Sequence, residues 1–178
     1  ASRWQLDYRA VFLAGPHISP RDREQATAFL QDLTLPTHIG RFSPLDDEHT
    51  AHNPVSRCYS CKKALLTMLK ALRRSPHECL VDGSHLSDYE QYRPGQRALQ
   101  EHGVLTPLAA TGWTKADIRQ CARALNMAQA EQPAKACLMT RFAYDTRIDE
   151  QDLIRVGRAE DELARLGLRT FRIRVHPD

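Results

Sequence analysis

The chain has 178 residues, and its 25 Lys or Arg residues against 22 Asp or Glu residues leave a formal net charge of only +3. This near balance does not indicate a protein that binds nucleic acid or a membrane surface through charge alone. No apolar run approaches the ~20 residues that span a bilayer. We therefore expect no membrane partner. The cysteines number five, which is odd, so we expect a reducing, cytoplasmic setting.

The first half of the chain predicts strands that alternate with helices. Residues 8–14 predict a strand, Ser19-Pro20 predicts the start of a helix, and residues 37–42 predict a second strand. Residues 79–81 then predict a buried third strand. This alternation is typical of a parallel, doubly wound α/β sheet, in which ligands bind at the carboxyl ends of the strands. Residues 82–84 lie at such an end.

The second half of the chain is predicted to be mostly helical. Thr114 and Asp117 have the spacing of a capping box at the start of a helix. Residues 129–144 show no regular pattern and predict a loop. Residues 149–166 have the apolar stripe of an amphipathic helix, which Gly167 is suited to end.

Three cysteines form the most informative pattern in the sequence. Cys58 and Cys61 are a C-x-x-C pair that opens a predicted helix, and Cys137 lies in the irregular segment downstream. Three thiolates leave one coordination position open on zinc or on an iron-sulfur cluster, and an open position allows substrate chemistry. Two alternatives stay open. The cysteines could be ordinary core residues, or the pair could bind structural zinc together with Cys137 or His52.

Charged residues near the C-terminus form a second pattern. Residues 170–176 alternate as in a strand, which places Arg172 and Arg174 on the face opposite Phe171. Two arginines in this spacing suit a phosphate or a carboxylate, although a solvated edge strand is the alternative. Glu160 interrupts the apolar stripe of the last helix, so it either serves these arginines or reaches solvent at the edge of the stripe.

Taken in order, the motifs of this chain resemble those of one family. They are Cys58-Tyr59-x-Cys61-Lys62-Lys63, Val81-Asp82-Gly83-Ser84, Arg93-Pro94-Gly95, Gly103-Val104 with Pro107-Leu108, Thr114-Lys115-Ala116 with Ile118-Arg119, Ala136-Cys137-Leu138 and Arg172-x-Arg174-Val175-His176. The set is similar to the LarE-type ATP-dependent sulfur transferases of the PP-loop ATP pyrophosphatase superfamily, which act in building a nickel-pincer cofactor. The resemblance implies a parallel-sheet α/β domain of the PP-loop, adenine nucleotide alpha hydrolase-like type in residues 1–126. It also implies a helical, α+β C-terminal part for sulfur transfer and substrate binding in residues 127–178.

The resemblance further implies a reaction and its partners. ATP with Mg²⁺ adenylates the carboxylate of a small mononucleotide, pyrophosphate leaves, and sulfur then displaces AMP to give a thiocarboxylate. Some family members give up the sulfur of one cysteine, whereas others hold a 4Fe-4S cluster on three cysteines and pass on sulfide from an external sulfur donor. We expect the cluster version and a homo-oligomer. A tRNA thiolation enzyme is the alternative enzyme, but the modest net charge argues against it.

The family's functional residues carry over to matching positions of this chain. The predicted catalytic residues are Cys137, as the sulfur-delivering cysteine, Lys62 and Glu160, and the predicted cluster ligands are Cys58, Cys61 and Cys137. The predicted substrate-binding residues are Arg141, Thr140, Arg172 and Arg174, and the predicted nucleotide-binding residues are Asp82, Gly83, Ser84 and Lys115. Thr140 stands where the family usually has serine, and it keeps the hydroxyl group.

One family motif is missing from this sequence. The Ser-Gly-Gly-x-Asp-Ser loop, whose backbone N–H groups cradle pyrophosphate, occurs nowhere in the chain. The resemblance begins at about Tyr8, after the position that this loop occupies in the family. We therefore expect the complete protein to carry the loop upstream of Ala1, and we expect this chain alone not to turn over ATP. The alternative is that the protein has given up ATP.

Overall fold

The computed structural model describes residues 7–33 and 35–176, which fall into two compact units. Unit 1 consists of the described residues within 1–55 and 136–178, and unit 2 consists of residues 56–135. The functional boundary expected between residues 126 and 127 stays a prediction. No helix in the described ranges is long and apolar enough to cross a lipid bilayer.

The regular elements mix short strands with helices. The strands are β1 (Ala10–Ala14) and β2 (Thr37–Arg41), and the helices are α1 (Pro20–Asp32), α2 (Glu48–Ala51), α3 (Arg57–Ala71), α4 (Gly95–Glu101), α5 (Pro107–Ala110), α6 (Lys115–Ala124) and α7 (Glu150–Arg165). Single 3₁₀ turns cover Pro44–Asp46, Leu86–Asp88, Ala128–Glu131 and Leu138–Arg141. This is an α/β fold, as the sequence predicts.

Unit 1 begins with a β-α-β arrangement. Strands β1 and β2 pair in parallel, with Ala10 opposite Thr37, and α1 connects them. The Ser19 hydroxyl caps α1 by accepting a hydrogen bond from the Asp22 N–H at 3.2 Å, and Pro20 occupies the first helical position. Both strands and this helix start confirm the sequence predictions, because each was signalled by residues inside the element itself.

The core of unit 1 joins α7 to a segment predicted to be a loop. Leu138 and Met139 are at most 2 % exposed, and they cluster with Leu153 and Val156 of α7. Gly157 allows this close packing, because a Cβ atom there would lie 3.1 Å from the Leu138 Cδ1 atom. The irregular segment is therefore a central part of the core rather than a surface connection.

Local signals at both ends of α7 are confirmed. The Asp149 carboxylate accepts a hydrogen bond from the Asp152 N–H at 2.8 Å, which completes a capping box at the start of the helix. Gly167 follows the helix with φ of 89°, a left-handed conformation that glycine adopts without strain.

Unit 2 is built on the packing of α3 against α4. Its buried cluster consists of Leu66 from α3 with Ala98 and Leu99 from α4. Further along the chain, the Thr114 hydroxyl and the Asp117 carboxylate form the expected capping box of α6. The α3 and α6 predictions are therefore confirmed.

The prediction of a third strand at residues 79–81 is wrong. Val81 forms one isolated parallel bridge with Leu105 and is 63 % exposed. The bridge consists of the Leu105 N–H to Leu80 carbonyl and the Asp82 N–H to Leu105 carbonyl hydrogen bonds, each 2.9 Å. An apolar tripeptide becomes a buried strand only when neighbouring strands and a covering face extend this pairing. The larger doubly wound sheet of a PP-loop domain stays an expectation.

Candidate functional site

Cys137 in unit 1 lies at the start of a tightly bonded turn. It immediately precedes the 3₁₀ turn Leu138–Arg141, and its carbonyl accepts hydrogen bonds from the Thr140 N–H at 3.0 Å and the Thr140 hydroxyl at 2.8 Å. On the other side, the Leu138 N–H donates to the His17 carbonyl at 2.9 Å. These bonds fix the backbone around the half-buried cysteine, so its position does not depend on a mobile loop.

A buried ion pair supports this turn. The Arg141 guanidinium donates to both carboxylate oxygens of Glu160, at 2.6 and 3.0 Å, and the two side chains are only 6 % and 11 % exposed. The remaining guanidinium branch donates to the Thr140 hydroxyl at 2.7 Å. The specific partner of Glu160 is therefore Arg141, and not Arg172 or Arg174 as the sequence predicted. The alternative in which Glu160 reaches solvent at the edge of the helix stripe is also wrong.

The C-terminal segment attaches to the same ion pair. The Ile173 N–H donates to Glu160 Oε1 at 3.1 Å, and the Val175 N–H donates to the Arg141 carbonyl at 2.9 Å. The Arg174 guanidinium donates to the Thr140 carbonyl. Residues 170–176 do not form the regular strand that the sequence predicted, because their backbone N–H groups bind a side chain and the backbone of a turn.

Unit 1 thus brings together most of the residues that the resemblance implied for sulfur transfer and substrate binding. Cys137, Thr140, Arg141, Glu160 and Arg174 are connected by the hydrogen bonds just described. An exposed Arg172 extends the same segment. A cysteine turn that carries hydrogen bonds from one buried and one exposed arginine suits an anionic substrate. The individual roles of these residues stay predictions.

Two predicted nucleotide residues of unit 2, Asp82 and Ser84, lie close to Lys62, which is predicted to be catalytic. The Lys62 ammonium on α3 lies 3.5 Å from Asp82 Oδ2, and Asp82 Oδ1 accepts hydrogen bonds from the Ser84 N–H at 2.7 Å and from the Ser84 hydroxyl. Burial raises the pKa of Asp82, but the Ser84 hydrogen bonds and the Lys62 charge outweigh it and hold that pKa below its usual value. Asp82 is therefore ionised at neutral pH.

A buried aspartate missed by sequence reasoning organises the loop after Asp82. Asp88 is 8 % exposed and forms an ion pair with Arg93 at 2.9 Å. Within the same loop, the Ser87 hydroxyl accepts a hydrogen bond from the Lys115 N–H at 3.2 Å, which ties the start of α6 to the loop that follows Asp82. No sequence pattern signalled this pair, because the burial of Asp88 depends on the packing of the loop.

The cysteine pair occupies the first turn of α3 in unit 2. Cys58 is exposed and Cys61 is half-buried, and their i, i+3 spacing places both thiols on one face of the helix. Tyr59, between them in sequence, donates a hydrogen bond to Glu101 of α4 at 2.7 Å. The pair is therefore presented by a helix turn that a neighbouring helix holds in place.

The structure leaves the three-thiolate hypothesis open. Within the described part of each unit, no three His, Cys, Asp or Glu side chains converge as a metal site would require. Cys137 belongs to unit 1, whereas Cys58 and Cys61 belong to unit 2. The helical pair supplies two thiolates on one face, which fits part of a cluster or zinc site.

Sequence comparison supports the family resemblance. No family model matches the chain. It is 30 % identical over 156 residues to the pyridinium-3,5-bisthiocarboxylic acid mononucleotide synthase of Lactiplantibacillus plantarum, covering 87 % of this chain and 56 % of that enzyme. Uncharacterized proteins of Synechocystis sp. and Methanocaldococcus jannaschii are 33 % and 32 % identical over 166 and 165 residues, covering 93 % and 92 % of this chain and 62 % and 63 % of those proteins. The chain thus spans about three fifths of the length of these relatives.

The Arg141–Glu160 pair predicts a large effect of one substitution on stability. Glu160→Ala leaves a buried guanidinium without its counter-charge, so we expect the free energy of unfolding to fall by about 3–5 kcal/mol. Glu162→Ala is the matched control on the same helix, because Glu162 forms an exposed pair with Arg165, and we expect a loss below about 1 kcal/mol. Urea denaturation measures both, and equal losses would contradict the structural role of Glu160.

His17 predicts a pH-dependent loss of stability. Burial lowers the pKa of His17 to about 4, while the unfolded chain has the ordinary value of about 6.5. Between these values the unfolded state binds more protons, so stability is complete above pH 6.5 and falls as the pH drops toward 4, by at most about 3 kcal/mol. His17→Phe, which can still pack against Phe42, should flatten the curve in this window.

The control for His17 is His38→Phe, which changes an exposed histidine on β2. Urea denaturation at several pH values between 4 and 7 gives the three stability curves. If stability falls with pH as steeply in His17→Phe as in the wild type, the lowered pKa of His17 is not the cause of the fall.

Proposed function

We propose that the complete protein is an ATP-dependent sulfur transferase of the nickel-pincer cofactor type, in which this chain supplies the sulfur-transfer site. The observation that carries the proposal is the Cys137 turn, fixed by the buried Arg141–Glu160 pair. The similarity to a bisthiocarboxylic acid mononucleotide synthase supports sulfur transfer as the reaction of this thiol. The cytoplasmic location and the homo-oligomeric state remain predictions.

The reaction has two steps on one carboxylate. The substrate carboxylate oxygen attacks the α-phosphorus of ATP and pyrophosphate leaves, which yields an acyl adenylate. A sulfur nucleophile then attacks the acyl carbon, and AMP leaves with the electrons of the broken C–O bond. In unit 2, the ammonium of Lys62 and the ionised carboxylate of Asp82 offer opposite charges for a nucleotide phosphate and its Mg²⁺.

The two exposed arginines of the C-terminal segment are assigned to the substrate. Arg172 and Arg174 are exposed, and each charge-assisted hydrogen bond to a phosphate contributes about 1.5–3 kcal/mol to binding. Arg141 is buried and bonded to Glu160 and Thr140, so we assign it to supporting the turn that follows Cys137. This arrangement places anion-binding groups around the turn that carries the thiol.

Cys58, Cys61 and Cys137 are the residues that would hold a 4Fe-4S cluster in this proposal. When bound, such a cluster supplies an iron position without a protein ligand, where sulfide can bind. The support is the helical pair of exposed Cys58 and half-buried Cys61, together with a third thiol at the proposed sulfur-transfer turn. Loss of the Cys137 sulfur itself is the other delivery route within the same function.

Anaerobic reconstitution with iron and sulfide tests the cluster. We expect a brown protein with about four irons per chain, and we expect Cys58→Ser to lose most of this iron. Cys79→Ser is the matched control, because Cys79 is also an exposed thiol of unit 2 but lies outside the predicted ligands. A colourless protein that binds zinc would instead favour the structural zinc module.

Pyrophosphate release tests the transferase proposal. This chain lacks the Gly-rich loop, and lysines are point charges that cannot replace a ring of oriented N–H groups. We therefore expect no pyrophosphate release from this chain, but release from a version extended upstream to include the loop, with ATP and the carboxylate substrate. Release by the short chain would mean that the nucleotide site is misplaced, and no release by either would contradict the proposed function.

A further inference from the structure

The Thr140 hydroxyl is bonded on both sides inside unit 1. It lies 2.8 Å from the Cys137 carbonyl oxygen and 2.7 Å from Arg141 Nη1. A carbonyl can only accept and a guanidinium can only donate, so the hydroxyl must donate to Cys137 and accept from Arg141. The three residues therefore form a directed hydrogen-bond chain that ends on the backbone of the cysteine.

The Arg141 guanidinium, at the charged end of these hydrogen bonds, is held in place. Arg141 is held by two hydrogen bonds to Glu160, and its side chain is 6 % exposed. A charged donor strengthens the bond that it makes and polarises the next bond in the chain. The Thr140 hydroxyl is thus fixed by a buried cation, in contrast to a hydroxyl that rotates freely in solvent.

The backbone of Thr140 belongs to the same arrangement. Its N–H donates to the Cys137 carbonyl at 3.0 Å, and its own carbonyl accepts from the Arg174 guanidinium. The hydroxyl proton is therefore committed to the cysteine turn. Binding a substrate with that proton would require breaking the bond to Cys137.

We infer that Thr140 is a positioning residue for Cys137, in which its hydroxyl transmits the fixed orientation of Arg141 to the cysteine backbone and holds the thiol in one orientation. This differs from the substrate-binding role that the resemblance implied for Thr140. The inference rests on the proposed function only for the purpose of the thiol, because the hydrogen-bond chain is a property of the folded unit.

Alkylation of the native protein by iodoacetamide tests this inference. Trypsin cuts after Lys135 and Arg141, so mass spectrometry of the 136–141 peptide reports Cys137 alone. Thr140→Val replaces the hydroxyl with a methyl group of similar size, and we expect Cys137 to be alkylated about fivefold faster, as for the loss of one hydrogen bond. Thr140→Ser keeps the hydroxyl and should stay within about twofold of the wild-type rate.

Cys121 of α6 is the internal reference, because it is a half-buried thiol in unit 2. General loosening of the protein would accelerate both thiols, whereas loss of positioning should accelerate Cys137 alone. An unchanged Cys137 rate in Thr140→Val, or equal acceleration in Thr140→Val and Thr140→Ser, would overturn the inference. If Thr140→Val does not fold, Thr140→Ala makes the same test without placing a methyl group against the guanidinium.

The assay uses neither ATP nor substrate. Its failure would therefore remove the role of Thr140 and leave the transferase proposal to the pyrophosphate experiment. Conversely, a chain without transferase activity would still show the Cys137 effect if the hydrogen-bond chain positions the thiol.

Discussion

The arrangement of unit 1 depends on a single buried carboxylate, that of Glu160. Glu160 binds the Arg141 guanidinium with both oxygens and also accepts the Ile173 N–H. Burying one charge alone would cost several kcal/mol, so neither side chain could occupy this position without the other. The pair thereby brings helix α7, the turn after Cys137 and the C-terminal segment together, through contacts that span 19 and 13 residues of the chain.

This constraint also explains how the proposed anion site could form beside an apolar core. Leu153 and Val156 of α7 are buried against the Cys137 turn, whereas Glu160, one turn further along the helix, faces the guanidinium. The buried pair neutralises the charge nearest the core. The exposed guanidinium groups of Arg172 and Arg174, the latter also bonded to the Thr140 carbonyl, are the groups proposed to bind an anion. Unit 2 uses a weaker version of this arrangement, in which the Lys62 charge and the Ser84 hydrogen bonds stabilise an ionised, half-buried Asp82.

The sequence predicted those parts of the fold that are specified locally. Ser19, Thr114 and Asp149 each mark a helix start through a bond to a residue three positions later, so the signal lies within one turn. Residues 79–81 and 170–176 fail as predicted strands because a strand needs partners that its own alternation cannot supply. In the same way, the lack of periodicity around Leu138 concealed a core position, since burial there is created by a distant helix.

For the candidate site as well, the sequence predicted which residues take part but not which of their groups bind one another. Motif resemblance selected Cys137, Thr140, Arg141 and Glu160, but it could not show that the hydroxyl and the guanidinium bind within the protein. This difference determines whether a group positions the thiol or binds the substrate. A reactive thiol gains most when its backbone is ordered before substrate arrives, because the entropy of positioning is then lost during folding rather than in the reaction. In the Cys137 turn, the carbonyl, the following N–H and the neighbouring hydroxyl all have partners in the folded chain, so substrate binding need not order them.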